Sequence, residues 1–164
     1  AGSHERGLCS ARANLLKGAT CVVIPAQSNN LAEERVRAFW TGLGMRVVLR
    51  DPIAHDKEVA WVSHAPHAVA FAFAEALGVA PDGESELRGS GFRDFTRIAR
   101  SDPELWADIL MENRTATLEV LSVLSDRLLA LSGCLKRGDF EALKRFIAIG
   151  RASLVDGDDN SSNS

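Results

Sequence analysis

Apolar and polar positions follow two different rhythms along this chain. In the first third, short β-branched runs flank one helical period. Thr20 to Pro25 (TCVVIP) predicts a strand, and Gln27-Ser28-Asn29-Asn30 a polar turn with capping residues. From Leu31 the period is helical: Leu31, Val36, Phe39, Trp40 and Leu43 fall near one face, Glu33, Glu34, Arg35 and Arg37 lie largely opposite, and Gly42 and Gly44 end it. Met45 to Leu49 (MRVVL) predicts a second strand. Strand, helix, strand in so short a stretch is a βαβ unit, the building block of a parallel sheet. Two parallel strands cannot cover both their faces, so residues 1–51 read as the tail end of a larger α/β domain. The residues before Thr20 read as a loop.

After Asp51-Pro52 helical periods take over. Pro52 to Val79 predicts a helix whose centre, Trp61 to Leu77 (WVSHAPHAVAFAFAEAL), is the longest apolar run and is apolar nearly all round, as in a buried helix. Ala80-Pro81-Asp82-Gly83 breaks it. Gly89-Ser90-Gly91 predicts a flexible turn, and Phe92 to Ala99 a short helix. Ser101 or Asp102 caps the next helix, with Pro103 in its first position. Trp106, Ile109, Leu110 and Asn113 share a stripe that runs on through Leu118, Val120, Leu121, Leu124, Leu128 and Leu131 to Gly133, which predicts one long helix. A last helix spans Phe140 to Ile149 and closes at Gly150. The polar stretch Asp156 to Ser164 predicts a disordered tail. The organisation is therefore mainly α: 1–51 an α/β remnant, 52–155 all helical, 156–164 a tail. Residues 52–155 carry more apolar helix surface than so few helices can bury, which predicts a twofold dimer with interdigitating helices.

Composition narrows the function. Of 164 residues, 46% are hydrophobic and 25% charged, ordinary for a globular protein, and the net charge of −3 argues against a nucleic-acid partner. The charge is uneven: seven basic against four acidic residues up to position 51, twelve against eighteen after it. Cys9, Cys21 and Cys134 are scattered with no CxxC, which fits reduced thiols in the cytoplasm. No apolar run is long enough to span a bilayer.

The candidate chemistry lies in the apolar run. Ser63, His64 and His67 stand at i, i+1 and i+4, so Ser63 lies one turn behind His67. Pro66 between the histidines lacks a donor and crowds the carbonyl of Val62, which predicts a bend with polar groups released from the helix. Two readings stay open on these residues alone: a site inside a helical domain, or core histidines satisfied by neighbours. A metal is not expected. The HxxH offers two ligands, His55 is more than two turns away, His4 is in another segment, and no Glu sits inside the motif.

Four stretches together resemble the prephenate dehydrogenase family, including its arogenate-using relatives. Ala1-Gly2-Ser3 looks like the end of the family's His-Pro-x-Ala-Gly-Ser/Thr loop. Lys17-Gly18-Ala19 running into Val22-Val23-Ile24-Pro25 resembles the strand that follows. Val62-Ser63-His64-Ala65-Pro66-His67 looks like its SHxPH helix. Gly89-Ser90-Gly91-Phe92-Arg93-Asp94-Phe95-Thr96-Arg97-Ile98-Ala99, continuing through Ser101-Asp102-Pro103 to Trp106, resembles its glycine-loop motif. The likeness covers residues 1 to about 150 in the family's order.

The resemblance implies the C-terminal portion of an enzyme that oxidatively decarboxylates prephenate to 4-hydroxyphenylpyruvate in tyrosine biosynthesis. The fold it implies is a helical dimerisation and substrate domain preceded by a βαβ remnant of a Rossmann domain. It implies His67 as a catalytic, ligand-contacting histidine and Arg97 as the guanidinium that grips a substrate carboxylate with two bonds. Ser63, His64, Ser3, Gly91 and Trp106 are implied as further substrate-binding positions, Gly91 by reaching a partner subunit's pocket. The partners implied are prephenate or arogenate and a second copy of the chain. The cofactor is NAD or NADP, bound by an N-terminal domain: the family's GxGxxG is absent here, as is the histidine opening the His-Pro loop. The chain alone is therefore expected to be inactive. A non-catalytic helical module, for dimerisation or for sensing an aromatic acid, is the alternative.

Overall fold

A computed structural model of the chain describes residues 14–25, 30–79 and 87–158. Ser3, the opening loop, the turn before Asn30, the break at Ala80–Gly83 and the tail beyond Asp158 lie outside the described residues. The fold is mainly helical, as the pattern predicts.

Strands β1 (Thr20–Val23) and β2 (Arg46–Leu49) pair in parallel, Thr20 opposite Arg46 and Val23 opposite Leu49. Helix α1 (Asn30–Gly42) connects them. Gly44, at φ 81°, makes the reversal into β2, a backbone state that a side chain would strain. Met45, next to it, is buried. The expected apolar face of α1 is uncovered, with Leu31 and Phe39 at 73% and 60% exposure.

Asp51 starts α2 (Pro52–Val59): its Oδ1 accepts from the N–H groups of Ile53 and Ala54 at 2.9 and 3.2 Å, and Pro52 sits where no donor is needed. At Pro66 the helix widens instead of breaking. Ala60–His64 forms one π-helical turn, in which the Ala65 N–H donates to the Ala60 carbonyl five residues back. Helix α3 (Ala65–Leu77) then continues with Pro66 in its first turn. An extra residue in the turn makes room for a ring that would otherwise press on the carbonyl four residues behind. Ala60, Ala65 and Ala70 are all buried, small side chains that let neighbouring elements approach closely.

The flexible turn expected at Gly89–Gly91 is replaced by order. Gly89 is the N-cap of α4 (Ser90–Arg97), and Gly91 lies in the first turn of that helix. A Ser and two glycines suit a helix start as well as a loop, and the period of Phe92, Phe95 and Thr96 settles it. Phe73 of α3 meets the rings of Phe92 and Phe95 edge-on at 6.2 and 5.3 Å. A 3₁₀ turn (Ile98–Arg100) leads to α5 (Pro103–Glu112), whose N-cap is Asp102, with Oδ1 3.1 Å from the N–H groups of both Glu104 and Leu105.

The single long helix expected from Pro103 is two helices. It divides at Asn113, at φ −104° and ψ 33°, and α6 (Arg114–Arg137) follows. The apolar stripe crosses the break unaltered, so periodicity alone could not reveal it. Helix α6 also runs past Gly133, the expected end, to stop at Gly138, which at φ 63° is suited to that role. Helix α7 (Phe140–Asp158) begins at Asp139, which accepts from the Ala142 N–H at 2.9 Å, and passes through Gly150, where the pattern had placed its end. One internal glycine costs about 1 kcal/mol, less than the bonds gained by continuing the helix. The first three residues of the expected tail, 156–158, are therefore helical.

The chain forms two compact units, one up to Thr117 and one from Leu118, a different place from the change of pattern at residue 51.

Candidate functional site

The π-helical turn and Trp106 bring three of the expected site residues together, His64, His67 and Trp106. His67 stacks on the Trp106 indole, ring centroids 3.6 Å apart and planes 18° from parallel. His64 meets the same indole edge-on at 6.4 Å, and Phe71 does so at 5.9 Å. Both histidines and Trp106 are partly buried. Positions 64, 67 and 106 therefore form one half-buried cluster between the π-helical turn with α3 and helix α5.

Each imidazole is held through Nδ1. That of His67 is 2.9 Å from the carbonyl oxygen of Ser63. A carbonyl only accepts, so Nδ1 of His67 carries the proton, and its Nε2 accepts when the ring is neutral and donates only when the ring is charged. Ser63 thus takes part through its backbone, as the residue that orients His67. His64 Nδ1 is 3.1 Å from Nδ2 of Asn113, which also donates to the Asp56 carbonyl at 2.7 Å. His64 is held below the ordinary histidine pKa, first by burial and then by His55, with His67 adding to the effect and Asp56 opposing it. Asp56 is itself 3.1 Å from His55 Nδ1.

Beside Trp106 opens a largely apolar cavity of about 520 Å³, lined by Phe71, Ala99, Arg100, Ser101, Pro103, Ala107 and Leu110 as well as the indole. One charged side chain, Arg100, is on that wall. Arg97 is not. It is the last residue of α4, is exposed, and makes no hydrogen bond or ion pair with the described residues. Within one chain the structure does not bring Arg97 to the histidines. Gly91 is exposed, and a Cβ there would meet nothing within 4 Å, so no close approach within this chain requires glycine.

Asn113, Phe71 and Arg100 join the site without having been expected there. Asn113 had a signal: one amide on the otherwise apolar stripe of Trp106, Ile109 and Leu110, a residue type that favours helix ends over interiors. Among the described residues no group of three or more His, Cys, Asp or Glu is placed to hold a metal, and no helix is long and apolar enough to cross a membrane. Chemically, the cluster offers two imidazoles and an aromatic face beside an apolar hollow with a guanidinium on its wall. That suits a ring-bearing anion.

Comparisons with known proteins agree on one family. Residues 51–149 match the family model described as prephenate dehydrogenase, dimerization domain. The chain is 29% identical over 157 residues to a prephenate dehydrogenase from Lactococcus lactis, covering 92% of this chain and 42% of that protein. The crystal structure of prephenate dehydrogenase from A. aeolicus, in complex with hydroxyphenyl propionate and NAD+, superposes with a TM-score of 0.83 at 29% identity, covering 96% of this chain and 56% of that one. The Synechocystis arogenate dehydrogenase structure gives a TM-score of 0.78 at 28% identity, covering 93% and 57%. The chain thus spans about half the length of the relatives it matches.

Proposed function

The chain belongs to the prephenate dehydrogenase family, and from that premise we propose that it is the C-terminal portion of a cytoplasmic prephenate or arogenate dehydrogenase of tyrosine biosynthesis. The overall reaction converts prephenate and NAD(P)+ into 4-hydroxyphenylpyruvate, CO2 and NAD(P)H. In this reading residues 1–51 close a nucleotide-binding domain and 52–155 form the substrate and dimerisation domain of a homodimer. The residues present do not fit a dinucleotide, since no Gly-rich strand-turn-helix occurs here, and none is assigned to the cofactor. A nicotinamide held outside this chain would accept the hydride.

This chain's own part is to bind and orient. His67, fixed by the Ser63 carbonyl and the indole, offers Nε2 to the substrate, accepting from a hydroxyl when the ring is neutral and donating to an oxygen when it is charged. His64 supplies a second ring nitrogen, and Trp106 an apolar wall for the substrate ring. Arg97 holds a carboxylate. Ser3 and Gly91 complete the set of substrate contacts, Gly91 from the partner subunit. The observation that carries the reading is the meeting of His64, His67 and Trp106 in one cluster beside an apolar cavity. The exposure of Arg97 favours a second reading, a helical dimer without catalysis.

Kinetics of the full-length protein separate the two. Arg97→Ala is expected to raise KM for prephenate about thirtyfold, roughly 2 kcal/mol, the worth of a hydrogen-bonded charge pair, with KM for the dinucleotide nearly unchanged. Equal effects on both constants would remove the carboxylate role. An effect confined to Arg100→Ala would move that role to the cavity wall, and absence of any turnover would favour the non-catalytic dimer.

A further inference from the structure

Asn113 joins three elements. It ends α5, its Nδ2 is 2.7 Å from the Asp56 carbonyl of α2, and the same nitrogen is 3.1 Å from Nδ1 of His64 in the π-helical turn. These partners lie 57 and 49 residues away in sequence. The Asp56 carbonyl can only accept. The amide must therefore turn its NH2 group towards it, because the flipped amide would face one oxygen with another. With that group fixed, one hydrogen serves Asp56 and the second is left for His64 Nδ1. A ring nitrogen that accepts carries no proton, so neutral His64 keeps its proton on Nε2. A proton on Nδ1 would point at the hydrogen of the amide.

His67, one turn on, is set the other way, its Nδ1 donating to the Ser63 carbonyl at 2.9 Å. Two imidazoles beside one indole are thus held in opposite tautomers, one by an amide and the other by a carbonyl. The titratable groups acting on His64 are His55, Asp56 and His67, all on its own helical path, while α5 presents to it only the uncharged Trp106 and Asn113. Burial among them favours the neutral ring, the state in which a tautomer has meaning.

We propose that Asn113 is a positioning residue that fixes His64 as a permanent Nε2–H donor, so that the cluster recognises a ligand oxygen able to accept, a carboxylate or carbonyl. The tautomer does not depend on the function proposed above. Its use on a carboxylate substrate does rest on that reading.

Long-range ¹H–¹⁵N correlation spectra of the ¹⁵N-histidine-labelled 164-residue chain test the proposal. The expected wild-type result, above the titration of His64, is a protonated Nε2 and bare Nδ1 for His64 and the reverse for neutral His67. Asn113→Ala should let His64 populate both tautomers and raise its titration midpoint, leaving His67 unchanged. Asn113→Asp, whose carboxylate only accepts, should move the His64 proton to Nδ1. A wild-type His64 protonated on Nδ1 would overturn the proposal, and that measurement needs no variant. So would an unaltered His64 in both variants while the His67 signals stay native. In the full-length protein, Asn113→Ala should raise KM for prephenate about tenfold, one hydrogen bond to a charged group. A changed tautomer with an unchanged KM would uphold the positioning role and count against prephenate as the ligand.

Discussion

Around Trp106 each polar or aromatic group has a neighbour in the same compact unit: His67 the Ser63 carbonyl and the indole, His64 the Asn113 amide, Asn113 the Asp56 carbonyl. Along α6 and α7 the opposite holds. Leu128, Leu129, Phe140, Ile147, Ile149 and Leu154 are all exposed, Leu129 and Phe140 at 71% each, and among the described large apolar side chains of these helices only Val120 is buried. Such a surface exceeds the scattered apolar residues of an ordinary monomer. The contrast teaches that the two parts are stabilised by different things. The cluster is held by its own chain, whereas the helical pair has its apolar surface still to cover, in accord with a family model described as a dimerization domain.

The strongest blow to this contrast falls on the cluster. Trp106→Ala removes the ring that His64, His67 and Phe71 all touch and should cost about 3 kcal/mol, read as a shift of the urea midpoint at fixed protein concentration. A loss below about 1 kcal/mol would mean the cluster is not self-supporting. Next, Leu129→Asp combined with Phe140→Asp should weaken self-association at least tenfold, about 1.4 kcal/mol, in sedimentation, while the histidine spectra of the cluster stay native. An unaffected dimer would place the interface elsewhere.

The smallest effect is that of pH. His64 has its folded pKa depressed, so above the unfolded value of about 6.5 both states are neutral and the group contributes nothing. As pH falls below that value the unfolded chain takes up the proton more readily, and stability declines until the folded pKa is passed. The urea midpoint should thus drop modestly between about pH 7.5 and pH 5.5, and His64→Gln should flatten that slope. A midpoint rising on acidification would contradict the burial of His64.

Much of this was legible in the residues, and the line between legible and hidden is physical. Asp51-Pro52 and Asp102-Pro103 announce helix starts because a cap acts on N–H groups two or three residues away, and both form as expected. The parallel strand pair follows from β-branched runs and a helical crossover. Motif resemblance, not periodicity, pointed to His64, His67 and Trp106 one by one, and their meeting in one cluster is seen only in the fold. The π turn at Pro66 was visible only as an expected disturbance. Helix ends at Gly133 and Gly150 were misplaced because a lone glycine weakens a helix by less than the flanking turns can absorb.

The sequence by itself determined the local starts, the strand pairing, the family and the supply of apolar helix surface, since each depends on neighbours within a few positions or on a motif. Only the tertiary structure decided that the long helix divides at Asn113, that His64 and His67 are both held through Nδ1 but in opposite tautomers, and that Arg100 rather than Arg97 stands on the cavity wall. The contacts of Asn113 join groups 57 and 49 residues apart in the chain, beyond the reach of any local pattern. An amide chooses its partners, and a histidine its tautomer, only after folding has set a carbonyl or a donor in front of it.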